Sequence, residues 1–178
     1  MIRFINKLTR SFRRSEDGSA TVEFVILFVP MFTMLMSAVE VGMIQVHHSM
    51  LERAVDMTVR DIRLGTGSAP QHDDIKDIVC TRAGFIDNCS ENLRLEMVIL
   101  DPRNWAGVSA EADCTDRSEE VEPVRSFSNG MDNELMFIRA CAKFDPVFPN
   151  FGLGQNMIKD GAGSYALIAA SAFVQEPR

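Results

Sequence analysis

The chain has 178 residues, enough for one ordinary domain and an anchor. Hydrophobic residues make up 46% and charged residues 24%, which is the composition of a folded protein rather than a disordered one. The formal net charge of −7 is unevenly placed: residues 1–17 carry Arg3, Lys7, Arg10, Arg13 and Arg14 against Glu16 and Asp17, net +3, leaving −10 for the rest. A short basic head on an acidic body argues against nucleic acid as the main partner, because phosphate binding needs a basic face on the folded domain.

The head ends in RRSEDGSATVEF (13–24), and residues 24–39 then read FVILFVPMFTMLMSAV, sixteen positions without a charge. Glu40 interrupts the run and VGMIQV carries it on to Val46. Residues 24–39 cover about 24 Å of helix and residues 24–46 about 34 Å, against a hydrocarbon core of about 30 Å. One tilted transmembrane helix fits, with Glu23 near one interface and Glu40 towards the other. No Lys or Arg occurs between Arg14 and Arg53, so the basic cluster keeps the N-terminus in the cytoplasm. Pro30 lies inside the span and is expected to bend it. A cleavable secretory signal competes with this reading. It needs small residues at −3 and −1, and a cut after Ala38 leaves Met36 at −3.

The junction Gly18-Ser19-Ala20-Thr21-Val22-Glu23-Phe24, set between the basic head and the apolar run, resembles that of type IVb prepilins. The fuller arrangement is similar to the TadE-like minor pseudopilin family of Tad (type IVb) pilus assembly systems. That resemblance implies cleavage by a prepilin peptidase between Gly18 and Ser19. Glu23 then stands at the fifth mature position and Phe24 stands where major pilins of this class carry tyrosine, a departure that favours a minor subunit. A cut before the apolar run retains the helix, and glycine lets the backbone approach a protease closely. Glu23 is costly beside lipid unless paired. The new amine of Ser19 lies one helical turn away from it, at i and i+4. The family picture pairs this glutamate with the amine of a neighbouring subunit, fixing the stagger between helices. An interfacial Glu23 reaching the headgroups is the plainer alternative.

Past the span, Met50, Leu51, Ala54, Val55, Thr58, Val59 and Ile62 recur at helical spacing. One helix from about Ala20 to Leu64 follows, ended by Gly65 and Gly67, with a hinge near Gly42 as the alternative. A second helix is predicted from about Pro70 to Ala83, stopped by Gly84. LRLEMVIL (93–100) alternates as a strand, with Leu93, Leu95, Met97 and Ile99 on one face. Asp101–Arg125 is acidic and turn-rich, a surface excursion. Residues 134–144 alternate again, with Met136, Ile138, Ala140, Ala142 and Phe144 on one side and Arg139, Cys141 and Lys143 on the other. DPVFPNFGLG (145–154) is a loop with three apolar anchors, and 165–174 reads as a last strand, its alanines leaving helix open. The fold class is α+β: a long N-terminal helix, transmembrane and then amphipathic, followed by a small pilin-like domain with antiparallel strands. The family resemblance reaches RACAKFDPVFP and the closing AFVQEPR only loosely.

The four cysteines, Cys80, Cys89, Cys114 and Cys141, form no Cys-x-x-Cys pair and no zinc pattern with His47, His48 and His72. An even count in an exported body favours two disulfides. Cys80–Cys89, closing a short loop, with Cys114–Cys141 is preferred, although four cysteines allow three connectivities. His47 and His48, near Glu40 and Glu52, read as solvated or headgroup-facing side chains rather than metal ligands. The acidic loop Asp113, Asp116, Glu119, Glu120 and Glu122 lacks ordered calcium-ligand spacing. Trp105 fits either a surface anchor or a buried plug, and the eleven methionines read as packing residues. No phosphate loop, nucleophile elbow or HExxH occurs.

The expected organisation is therefore a basic leader at 1–18, a transmembrane helix at 19–46, and an α+β domain at 47–178 in the periplasm of a bacterial envelope. The expected role is that of a minor pilin rather than an enzyme, with no catalytic residues, cofactor or metal. Its expected partners are the prepilin peptidase, other pilin-like subunits, the inner-membrane assembly platform and the lipid bilayer. An uncleaved, anchored periplasmic enzyme or sensor and a secreted factor are the rival readings.

Overall fold

The computed structural model describes residues 19–64, 70–104, 108–115 and 127–177. Helix α1 (Ser19–Arg63) runs 45 residues, about 68 Å at 1.5 Å per residue. It passes through Gly42 without a break and carries Pro30 inside it. Pro30 has no N–H to donate, and near it the hydroxyl of Thr33 donates to the carbonyl of Val29. The proposed stops at Gly65 and Gly67 lie outside the described residues.

Helix α2 (His72–Ala83) starts one residue after Gln71, in a reciprocal capping box in which Asp74 accepts from the Gln71 N–H at 2.9 Å. It ends at Gly84, which sits at φ +60° and donates its N–H to the carbonyl of Cys80. A single turn, α3 (Cys89–Asn92), leads into strand β1 (Leu93–Ile99). Strand β2 (Leu135–Phe144), the short helix α4 (Gly152–Asn156) and strand β3 (Tyr165–Val174) complete the order. The alanines of 165–174 are thus accommodated in a strand.

The three strands form one antiparallel sheet in the order β1-β2-β3. Leu95 faces Ala140, and Ala140 faces Ala169 across the two ladders. The second half of α1 lies on one face of this sheet. Leu51, Ala54, Val55 and Val59 are buried with Ile75 and Val79 of α2 and with Leu93, Ile138, Ala140 and Ala169 of the sheet. Burial of side chains at i, i+3, i+4 and i+8 on α1 is what the amphipathic spacing predicted. Ile99, at the end of β1, departs from the alternation and is exposed. Arg82 of α2 donates to Thr58 Oγ1 at 3.2 Å and also bonds Asp61, tying α2 to α1.

The other face of β1 and β2 is covered by residues 108–115. Arg139 is 8% exposed. Its guanidinium holds Glu96 from Nε at 3.0 Å and reaches the carbonyls of Ser109 and Glu111, each at 3.0 Å. Cys114 is bonded to Cys141 on β2, and Cys80 to Cys89 between α2 and α3. Both pairings are the ones preferred from the sequence. Residues that look solvent-facing by strand alternation are therefore buried under a second layer. Trp105 and most of the acidic loop lie outside the described residues.

Candidate functional site

Helix α1 crosses two environments. Thr21–Met31 are exposed at every position, and Phe24, Ile26, Leu27, Met34 and Leu35 are large apolar groups with little of their own chain to cover them. The first half of the helix is long and apolar enough to cross a membrane. Phe24, Phe28 and Phe32 form a ladder at i, i+4 spacing, with ring centroids 5.2 and 5.5 Å apart. Gly18 lies outside the described residues, and Ser19 is the first residue of α1. Glu23 and Phe24 sit on the bare part of the helix, in its second turn.

Glu40 is not an interfacial carboxylate turned to the headgroups. It is 1% exposed. Its Oε1 accepts the N–H of Val147 at 3.1 Å and its Oε2 accepts the N–H of Phe148 at 2.9 Å. The loop after β2 thus docks on the helix through a carboxylate clasped by two successive backbone donors, which compensates a charge that burial would otherwise penalise. The contact continues towards the N-terminal end of α1. The Phe151 ring lies 6.2 Å from that of Phe32. Gly152 adopts φ +57°, and a Cβ there would lie 2.8 Å from the Ser37 hydroxyl. Gly154 is packed so closely that a Cβ would meet the Phe148 carbonyl. Beneath the clasp, Tyr165 is buried, and burial with the nearby carboxylates of Glu40 and Asp145 pushes its phenol up to about 12.

The two histidines also contact the folded body, with the His48 side chain 35% exposed. His47 lies against both Phe85 at 5.3 Å and Phe144 at 4.7 Å, whose own ring centroids are 5.7 Å apart, so the three rings form one cluster. Burial lowers its pKa, with the Asp87 carboxylate opposing. His48 Nε2 lies 3.1 Å from the carbonyl of Ile168 on β3. At the far end of the loop Asp160 faces Lys143 at 3.0 Å. Burial would raise the Asp160 carboxyl, but the N–H groups of Ser164 and Ala162 and the Lys143 ammonium hold it below its ordinary value.

Sequence reasoning placed Glu23 and Phe24 at the junction but missed the Glu40 clasp and the His47 stack. One signal was present: Glu40 stands alone in an apolar run, and a buried carboxylate must find donors. Its donors, Val147 and Phe148, lie more than a hundred residues away and carry no side-chain signature as donors.

The bare first half of α1 and the compact body fit a single-pass membrane anchor carrying a disulfide-bonded α+β domain. Residues 18–60 match the family model of TadE-like proteins, which supports the TadE-like resemblance. The match begins at the junction glycine and ends where α1 packs on the sheet, about a quarter of the chain. A TadE-like segment relates the chain to the Tad pilus. Comparisons with curated proteins and with solved structures gave no match.

Proposed function

We propose that the chain is a minor pseudopilin of a Tad (type IVb) pilus, cleaved between Gly18 and Ser19 and packed among pilin-like subunits through α1. The observation that carries this reading is the family match starting at Gly18 and running along a helix whose first half is bare. Residues 1–18 are the cytoplasmic leader, 19–46 the span, and 47–178 the periplasmic domain. The prepilin peptidase removes the leader, and the inner-membrane assembly platform receives the mature subunit.

The chemistry follows from charge. Before cleavage the basic head holds the N-terminus at the membrane surface. After cleavage an ammonium stands at Ser19, at a helix end that already carries a partial positive charge. The Glu23 carboxylate, about 6 Å further along the axis, offsets both. In an apolar medium the same pair formed between neighbours is strongly position-dependent, so it sets the axial offset of one helix against the next. The exposed Phe24, Phe28 and Phe32 supply stacking surface along the same contact.

The test is a Gly18→Leu variant expressed beside wild type in cells with and without the prepilin peptidase. Wild type shortens only when the peptidase is present, and Gly18→Leu keeps its full length in both. Shortening of the variant, or wild type at full length with the peptidase active, contradicts the proposal.

A further inference from the structure

We propose that residues 146–158 form a wedge that dips into the bilayer interface beside α1, on the side of the folded domain, with phospholipid as its partner. The inference rests on α1 being the membrane span, and it adds a second point of contact that the anchor alone does not require.

The first observation is composition in place. Residues 146–158 contain no charged side chain, within a body whose net charge is −10. Asp145 and Lys159 bracket them. Val147 and Phe151 are exposed, and Ile158 is 97% exposed. Facing water, these groups would lose the benefit of burial, about 25 cal/mol per Å².

The second observation is position. The segment lies against Phe32, Ser37 and Glu40 of α1. Phe32 is eight residues before Glu40, about 12 Å along the axis. Ala20–Val39 is twenty residues, about 30 Å, the thickness of the hydrocarbon core. A bilayer that covers this stretch therefore reaches the level of Phe151.

The third observation is backbone satisfaction. Lipid-exposed irregular backbone does not occur within the hydrocarbon core, so a loop that meets the bilayer sits at its interface, where paired backbone groups lower the cost of leaving water. Here Glu40 takes the N–H groups of Val147 and Phe148. Phe151 donates its N–H to the Phe148 carbonyl at 3.2 Å. The Lys159 ammonium donates to the carbonyls of Pro149 and Gly154 at 3.1 and 2.8 Å, and the Asn156 side chain donates to that of Gly152 at 3.0 Å. The exposed Val147, Phe151 and Ile158, set among the uncharged polar side chains of Asn150, Gln155 and Asn156, suit the boundary between headgroups and acyl chains, where interfacial segments insert about 5–10 Å.

The test uses the full chain in phosphatidylcholine–phosphatidylglycerol vesicles, with Trp105→Phe removing the single native tryptophan. Tryptophan is then introduced by Phe151→Trp, by Ile158→Trp, by Phe28→Trp as a probe of the anchor, and by Met131→Trp as an exposed probe on the folded domain. Lipids brominated high or low on their acyl chains report depth. The proposal expects the probes at 151 and 158 to be blue-shifted and quenched by the shallow bromines. The probe at 28 is quenched by the deep bromines and that at 131 by neither. Quenching at 28 without quenching at 151 and 158 overturns the wedge and leaves the anchor standing. Probes at 151 and 158 that are blue-shifted but unquenched at every lipid-to-protein ratio also overturn it, in favour of a second copy covering the loop. No quenching at 28 overturns the anchor and the wedge together.

Discussion

Phe148 donates its backbone N–H to Glu40 Oε2 at 2.9 Å across 108 residues of chain, joining the membrane-proximal helix to the loop that follows β2. Val147 completes the clasp on Oε1. Glu40→Ala removes both acceptors and leaves two N–H groups without partners, at a cost of about 1–3 kcal/mol for each buried group left unpaired. The expected result is a lower denaturation midpoint in detergent and faster proteolysis within 146–158. Glu40→Gln offers one carbonyl oxygen and an NH₂ that faces the other donor, so it is also expected to weaken the clasp. Unchanged proteolysis of this loop in both variants would contradict the assigned role.

Arg139 is a buried cation with several acceptors. Its guanidinium serves Glu96 and two carbonyls of the covering segment. Arg139→Met leaves the Glu96 carboxylate without its counter-ion, a loss of about 3–5 kcal/mol. Arg139→Lys is expected to recover little of it, because a single ammonium cannot reproduce the planar fork. Equilibrium denaturation of the three proteins ranks them, and a fully stable lysine variant would contradict the geometry.

The disulfides predict graded effects. Cys114–Cys141 closes 27 residues and Cys80–Cys89 closes nine. On chain-entropy grounds their loss costs about 3.5 and 2.5 kcal/mol. Cys114→Ser with Cys141→Ser is therefore expected to lower the denaturation midpoint more than Cys80→Ser with Cys89→Ser. The first pair also releases residues 108–115 from β2, which hydrogen exchange at positions 139 and 141 would report.

His47 predicts a pH response with a definite sign. Burial holds its folded pKa below the ordinary 6.5, so the unfolded chain takes up the proton first. Its contribution to stability is therefore complete above that value and declines as the pH falls below it. His47→Phe preserves the stack with Phe85 and Phe144 but cannot titrate. Urea midpoints measured at neutral pH and at about pH 5.5 should fall more for wild type than for the variant. Equal declines would place the pH dependence elsewhere.

Much of this fold is written locally. Residues 24–39 and the spacing of Leu51, Val55 and Val59 carry α1, and the alternation from Met136 to Phe144 carries β2. Gly84 marks the end of α2 because it takes the left-handed conformation there. The relationships that were hidden are between distant residues or beneath a second layer. Arg139 reads as a solvent-facing position on an alternating strand, and nothing local shows that 108–115 covers it. Glu40 and His47 read as lipid-proximal or solvated polar groups, since Val147 and Phe144 are not neighbours in sequence. Glu23 and Gly18 carry meaning through a family resemblance, because physical patterning alone makes them part of a polar linker.

The most direct measurement is the intact mass and first residue of the protein extracted from the membranes of cells that assemble the pilus. The account predicts a chain that begins at Ser19 and retains Phe24–Val46. A chain that still begins at Met1, or one that has lost the apolar helix, would contradict it.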